Sequence, residues 1–144
     1  MNEDKTILFN LNIYIDYCLK NGFKNKSQKE VDRELIRISS IFIHLKEKDI
    51  FEIYYKKLLS RRLIYQLSLS DDLELLMVDQ LKKECGIHYT KKIESMLKDF
   101  RLSLELNCDF NRQIEAIFHE DLQFQRDYFD MNVHVLTTGF WPFD

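Results

Sequence analysis

The apolar residues between Val31 and Leu45 advance by four, three, four and three positions, through Leu35, Ile38 and Phe42. This spacing keeps one side of an α-helix apolar, whereas the side chains of a strand alternate at every second residue. Other stretches with the same period begin near residues 6, 49, 70 and 90. The pattern therefore predicts several amphipathic helices that each bury one face.

Glycine and proline are scarce, with three glycines and one proline in 144 residues. Both residues are unfavourable inside helices, so their scarcity agrees with an all-α protein. Apolar residues make up 45% of the chain, which is enough to fill the core of one domain of this length. We expect an antiparallel helical bundle of four or five helices joined by short loops.

Polar residues at the predicted helix ends mark the boundaries. Serine, threonine and aspartate favour the N-cap position, and a glutamate three residues later completes a capping box. The predicted caps are Ser27 with Glu30, Asp49 with Glu52, Ser70, and Thr90, and the fourth helix is expected to end at Cys85 and Gly86. A separate, weaker sixth segment is predicted around Phe110. Four basic residues are assigned to the outer face of the third helix: Lys56, Lys57, Arg61 and Arg62.

Charge and cysteine usage limit the binding partners and the cellular compartment that we expect for this protein. The 21 basic and 24 acidic residues alternate in sign, and the formal net charge is −3, which argues against nucleic-acid binding. No apolar run approaches the roughly 18 residues of a membrane span, so no membrane partner is expected. The three cysteines are widely spaced and odd in number, which is typical of a reducing compartment. We expect a cytoplasmic and/or nuclear protein.

The residues offer little for catalysis or metal binding. Cys85 and His88 have the spacing of metal ligands, but zinc needs about four ligands and the other candidates are far away in sequence. The consecutive residues His119, Glu120 and Asp121 point in different directions on a helix and cannot converge on one substrate atom. We therefore expect a protein that is not an enzyme and has no cofactor or metal.

The loop after the first predicted helix is basic, with Lys20, Lys24, Lys26 and Lys29 around it. Such a cluster without adjacent acids could receive an acidic partner, although solvated surface lysines are the commoner case.

The last twelve residues, VHVLTTGFWPFD, differ from the rest because Val133 and Val135 alternate with other residues as in a strand. No partner strand is evident elsewhere in the chain. An unpaired strand exposes backbone groups, so this segment is expected to be disordered, to fold back on the helices or to pair with another copy. Where the segment stays exposed, Phe140, Trp141 and Phe143 would offer a route to self-association.

The stretch KDIFEIYYKKLLSRRLIYQLSLSDDLELLMVDQLKKECGIHYTKKIESMLKDF, residues 48–100, closely resembles the middle of the cullin homology region. Two further blocks, YIDYCLKNG upstream and VLTTGFWP downstream, are similar to segments of the same family, in the family's order. The residues that carry the resemblance, and to which it assigns structural roles, are Asp49, Phe51, Tyr55, Arg62, Leu63, Ser70, Asp72, Glu74, Met77, Cys85, Gly86, Thr90, Gly139, Trp141 and Pro142.

The resemblance to cullins implies a particular organisation. Residues 1–128 would be the four-helix-bundle portion of the cullin C-terminal domain. Residues 129–144 would begin an α/β subdomain that is truncated here, and the short C-terminal β-strand would be left from it.

The resemblance also implies a function. A cullin is a non-catalytic scaffold subunit of a multi-subunit cullin-RING E3 ubiquitin ligase. It links a substrate-receptor arm to the end that holds the RING-box protein and the ubiquitin-conjugating enzyme. The substrate adaptor would bind N-terminal repeats that this sequence does not contain. Lys20, Lys24 and Lys26 would correspond to a basic surface that attracts the acidic tail of some ubiquitin-conjugating enzymes. The alternative is a stand-alone helical interaction module that self-associates and has no role in a ubiquitin ligase.

Overall fold

The computed structural model describes residues 3–120 and 131–142. Within these ranges the protein is helical and contains no strand, which confirms the all-α prediction. No helix among them combines the length and the apolar character needed to cross a membrane. The expected boundary between residues 128 and 129 lies outside the described residues. The helices are α1 (Glu3–Tyr17), α2 (Gln28–Phe42), α3 (Lys48–Ile64), α4 (Asp71–Cys85) and α5 (Ile87–Glu120), and a single π-helical turn, Cys18–Gly22, continues α1.

Two of the predicted helix starts are confirmed. At α2, the backbone N–H of Ser27 donates to the Glu30 carboxylate at 2.8 Å, and the capping box is complete. At α4, the hydroxyl of Ser70 accepts a hydrogen bond from the N–H of Leu73 at 3.2 Å. Gly86 follows α4 with a φ of 83°, a backbone conformation that favours glycine, so the predicted helix end is also confirmed.

Two other predicted caps are wrong. Helix α3 begins at Lys48, before Asp49, and no side chain caps it. Thr90 lies inside α5, where its hydroxyl donates to the Glu94 carboxylate at 2.8 Å. The predicted fifth and sixth segments are one helix of 34 residues. Because no glycine or proline lies between Ile87 and Glu120, nothing in the chain interrupts this helix.

The helices pack in an up-and-down order. Consecutive helices are joined by short loops, which agrees with the predicted bundle. Helix α1 contacts α3, α3 contacts α5, and α2 contacts α4, which in turn contacts α5. Across α1 and α3 the partners advance in the same direction, from Phe9 against Tyr54 to Asp16 against Arg62, so these alternate helices run parallel.

The core is aromatic and aliphatic. Phe42 and Phe51 are both fully buried and meet edge to face with ring centroids 4.8 Å apart. Tyr55 stacks on Phe51 one helical turn further along α3. The seam predicted from Val31 to Phe42 is buried along its length. The apolar faces that periodicity assigns to the core are thus the faces that pack.

The predicted C-terminal β-strand is wrong in the part that the structure describes. Residues 131–137 are extended but lie along α5 instead of pairing with a strand. The side chain of Asn107 accepts from the N–H of Val133 and donates to its carbonyl, at 3.0 and 2.9 Å. Ser103 makes the same pair of bonds to Val135 at 2.8 and 3.0 Å. Helical side chains thus satisfy the backbone groups that a second strand would otherwise pair with.

Trp141 is buried, which agrees with the alternative that this segment folds back on the helices. This side chain is 7% exposed and belongs to the core. Its indole N–H donates to Asp99 at 3.0 Å, and Asp99 also accepts from the N–H and the hydroxyl of Thr137 at 2.7 and 2.9 Å. Phe140 is half-buried, and Phe143 lies outside the described residues. We name residues 131–142 the C-terminal strap. Its tryptophan is not available for the predicted tail-mediated self-association.

Candidate functional site

A buried ionic network joins three helices. Arg62 on α3 donates to both carboxylate oxygens of Glu74 on α4, at 2.7 and 3.0 Å. A third N–H of Arg62 donates to Asp16 on α1 at 2.8 Å. Ser68, in the loop before α4, donates to Glu74 at 2.6 Å, and Lys20 pairs with the other oxygen of Asp16 at 2.7 Å. The side chains of Arg62 and Glu74 are 1% and 0% exposed.

The position of Arg62 corrects the sequence prediction, which placed it on the outer face of α3. A helical pattern of apolar residues cannot show that one basic side chain points inward, because burial of a charge depends on partners far away in sequence. Here the partners of Arg62 are 12 and 46 residues away.

In this network the pKa values of Arg62 and of the neighbouring Tyr55 are raised. Burial alone would lower the pKa of Arg62, but the negative charge and hydrogen bonds of Glu74 outweigh it and raise that pKa above its ordinary value. Burial raises the pKa of Tyr55, and the charge of Glu74 raises it further. Tyr55 therefore stays neutral, with its ring 5.5 Å from the guanidinium carbon of Arg62. This arrangement has stable protonation states and suits a structural lock better than proton transfer.

The basic loop that the sequence singles out is partly neutralised. Lys20 lies in the π-helical turn and is held by Asp16, so its charge belongs to the buried network. Lys24 and Lys26 are exposed and form no ion pair with the described residues. Lys26 lies 5.7 Å from the ring centroid of Phe23. The structure therefore separates Lys20 from the other two lysines in role.

Acidic residues near the loop reduce its field. Hydrogen bonds from Ser27 lower the pKa of Glu30, with a smaller contribution from the charge of Lys26. The same lysine helps to lower the pKa of Glu34, after the hydrogen bond from Tyr14. Among the three lysines of the predicted contact surface, Lys24 is the one with neither an ion pair nor such a neighbour in the described part of the chain.

The weak metal pattern does not assemble into a site among the described residues. Cys85 is half-buried at the end of α4, and His88 is exposed on the first turn of α5. In the described ranges, 3–120 and 131–142, no group of three or more histidine, cysteine or acidic side chains could hold a metal ion. Asp121 lies outside these ranges, so the structure does not describe the set that it forms with His119 and Glu120.

The residues assigned by resemblance fall into three structural classes. Core packing accounts for Phe51, Tyr55, Leu63, Met77 and Trp141, and helix ends or turns for Asp49, Ser70, Asp72, Cys85, Gly86 and Gly139. Buried polar contacts account for Arg62, Glu74 and Thr90, whereas Pro142 lines a surface groove between α1 and α3.

Sequence reasoning missed three residues that hold the elements together: Asp16, Ser68 and Asp99. Asp16 and Asp99 each lie on a helix whose acidic residues would ordinarily be assigned to solvent. Each instead bonds a segment about 40 residues away or more. The available signal was weak: Asp16 lies within one of the family-like blocks, YIDYCLKNG, and Asp99 lies one position from the buried Phe100.

Comparison with known proteins gives a consistent result. A family model described as the cullin alpha solenoid domain matches residues 3–107. Cullin-3 of Dictyostelium discoideum is 44% identical over 132 residues, which are 92% of this chain and 16% of that protein. Cullin-1 of the same organism is 37% identical over 129 residues, 90% of this chain and 16% of that protein. The chain thus spans about one sixth of the length of these curated relatives.

Proposed function

Because this chain belongs to the cullin family, we propose that it acts as a helical support segment of a scaffold in a cullin-RING E3 ubiquitin ligase. In this role it links the substrate-receptor arm to the end that holds the RING-box protein and the ubiquitin-conjugating enzyme. It does no bond chemistry itself, and it works in the cytoplasm and/or the nucleus. Residues 1–128 correspond to the bundle portion of the cullin C-terminal domain, and residues 129–144 to the start of the following unit.

The observation that carries this proposal is the match across residues 3–107, which includes α1 to α4 and more than half of α5. The physical support is stiffness. A scaffold has to hold partners at a constant separation, and an internal salt bridge that joins α1, α3 and α4 opposes sliding between these helices. The strap is bonded to α5 through Asp99, Ser103 and Asn107, and these hydrogen bonds oppose separation of the strap from α5.

A chimera tests the proposal. The matching segment of Dictyostelium Cullin-3 is replaced by residues 3–142 of this chain, and ubiquitin-chain formation is measured with a RING-box protein and a ubiquitin-conjugating enzyme. We expect activity close to that of the parent cullin. A chimera that folds and binds the RING-box protein but forms no ubiquitin chains would contradict the scaffold role. The isolated chain, assayed with the same enzymes, is expected to transfer no ubiquitin.

We further propose that the loop after α1 contacts the acidic tail of a ubiquitin-conjugating enzyme. Lys24 and Lys26 provide the available charge, whereas Lys20 contributes less because Asp16 neutralises it. Exposed charges act mainly on the association rate, so the effect falls as salt rises. In the chimera, Lys24→Glu with Lys26→Glu is expected to slow chain formation at low salt, and Lys20→Glu alone is expected to act mainly through stability. Unchanged chain formation by the double variant at low salt would remove this contact.

A further inference from the structure

An apolar groove opens between α1 and α3. Its volume is about 400 Å³. One wall is an edge-to-face aromatic pair, Phe9 and Tyr54, with ring centroids 5.7 Å apart. Leu58 and Pro142 of the strap complete the apolar lining. Phe9 and Tyr54 remain 46% and 37% exposed, so the groove has no apolar occupant within the described part of the chain.

Two cations border this groove without an acidic partner. Helix α3 carries four basic residues, Lys56, Lys57, Arg61 and Arg62, which differ in exposure and in ion-pair partners. Lys56 pairs with Glu52, and Arg62 is held in the buried network. Lys57 and Arg61, which line the groove, are exposed and form no ion pair with any described residue.

The spacing of these two cations also favours an anionic ligand. Lys57 and Arg61 are four residues apart on one helix, where like charges repel each other. An anion placed between them would relieve that repulsion. An apolar hollow beside two uncompensated cations is therefore complementary to a ligand that has a large apolar side chain next to carboxylates.

We propose that this groove is a docking site for a short acidic peptide segment of a partner protein, anchored by one aromatic side chain. The aromatic ring packs against the wall formed by Phe9 and Tyr54, where further aromatic packing is available. The flanking carboxylates of the peptide pair with Lys57 and Arg61. This inference does not depend on the ubiquitin-ligase role, because it rests on the groove and its two free cations.

Fluorescence anisotropy with the full 144-residue chain tests the proposal. The probe is a fluorescein-labelled peptide, Gly-Asp-Glu-Phe-Glu-Asp-Gly. We expect saturable binding that weakens at least about tenfold when the peptide's phenylalanine is replaced by alanine, because alanine cannot bury the apolar surface of the ring in the groove. Replacement of the peptide's acids by their amides is expected to weaken binding to a similar extent and to remove its salt dependence.

Matched variants of the protein separate the groove from general electrostatics. Lys57→Glu with Arg61→Glu is expected to weaken binding at least about tenfold. Lys91→Glu with Lys92→Glu makes the same change of charge at two exposed positions of α5 that form no ion pair with the described residues, and is expected to change affinity less than about twofold. All four positions are exposed, so both variants should keep the circular dichroism spectrum and melting temperature of the parent chain.

Four results would overturn the proposal. The first is an absence of binding, and the second is an equal loss in both charge-reversal variants. The third is peptide binding only after Phe143→Ala, which would identify the chain's own end as the occupant. The fourth is dimerisation of the parent chain, seen by sedimentation velocity and abolished by the Lys57 and Arg61 changes, which would identify a second copy as the occupant.

Discussion

Replacement of Arg62 by methionine is the most informative perturbation of this fold. The change removes the guanidinium that makes two hydrogen bonds to Glu74 and one to Asp16. Glu74 is then left as a fully buried carboxylate with Ser68 as its remaining side-chain donor, since 0% of its side chain is exposed. Breaking a buried ion pair from one side costs about 3–5 kcal/mol, because an uncompensated charge remains in the interior.

This cost is a large share of the stability of an ordinary domain, which is about 5–15 kcal/mol. Urea unfolding of the 144-residue chain, followed by circular dichroism at neutral pH, measures it directly. With a typical slope of about 2 kcal/mol per molar urea, the midpoint should fall by about 1.5–2.5 M.

Two further variants make the result decisive. Arg61→Met changes the neighbouring arginine, which is exposed and has no ion pair among the described residues, and should alter stability by less than about 0.5 kcal/mol. Arg62→Met combined with Glu74→Leu removes both buried charges and should recover most of the loss, because an apolar pair of similar volume can replace an ion pair. Equal midpoints for Arg61→Met and Arg62→Met, or a double variant as unstable as the sum of its singles, would refute the reasoning.

Three other predictions concern the strap and the helix ends. Asp99→Ala should release the strap and shift the fluorescence of Trp141, the only tryptophan, to longer wavelength. Acid should have the same effect. Burial raises the pKa of Asp99, but its hydrogen bonds to Thr137 and Trp141 outweigh burial and lower that pKa. The stabilisation by Asp99 is therefore complete above the ordinary aspartate pKa of about 3.9 and is lost as pH falls through the lowered value. A fluorescence spectrum of the parent chain that stays constant down to about pH 2 would contradict this. Ser70→Ala removes the cap of α4 and should cost about 1 kcal/mol in urea unfolding, whereas Ser70→Asp should restore it. Gly86→Ala should destabilise the protein by about 1 kcal/mol, because φ at this position is 83°, although an added Cβ would meet open space. An unchanged midpoint of urea unfolding would exclude backbone strain at Gly86.

Much of the secondary structure could be predicted because its causes are local. The seam of α2 and the caps Ser27 and Ser70 depend on residues within one or two helical turns of each other. The predictions were wrong where neighbouring residues or contacts with a distant helix outweighed the local sequence signal. Thr90 is a good cap in isolation, yet α5 continues through it because its neighbours favour a helix and no breaker intervenes. Val133 and Val135 suit a strand, yet the side chains of α5 supplied their hydrogen-bond partners.

The candidate sites were likewise predictable from the sequence only where their residues are close together in the chain. The loop lysines were visible as a cluster, but the pairing of Lys20 with Asp16 was not distinguished from solvation. Residue types and resemblance together identified the family, because family-like blocks preserve the order of the chain and do not require knowledge of contacts. The groove at Phe9 and Tyr54 was not predictable, since its walls come from helices about 45 residues apart in sequence.

By itself, then, the sequence determined that the chain forms amphipathic helices, where α2 and α4 start, and which family the chain belongs to. Only the tertiary structure decided that Arg62 points inward and that Trp141 of the strap is buried in the core. It also decided that Lys57 and Arg61, beside an apolar groove, form no ion pair with the residues that the structure describes. The physical reason is that helix formation and capping are short-range effects, whereas the burial of a charge depends on carboxylates that the fold brings from 12 and 46 residues away.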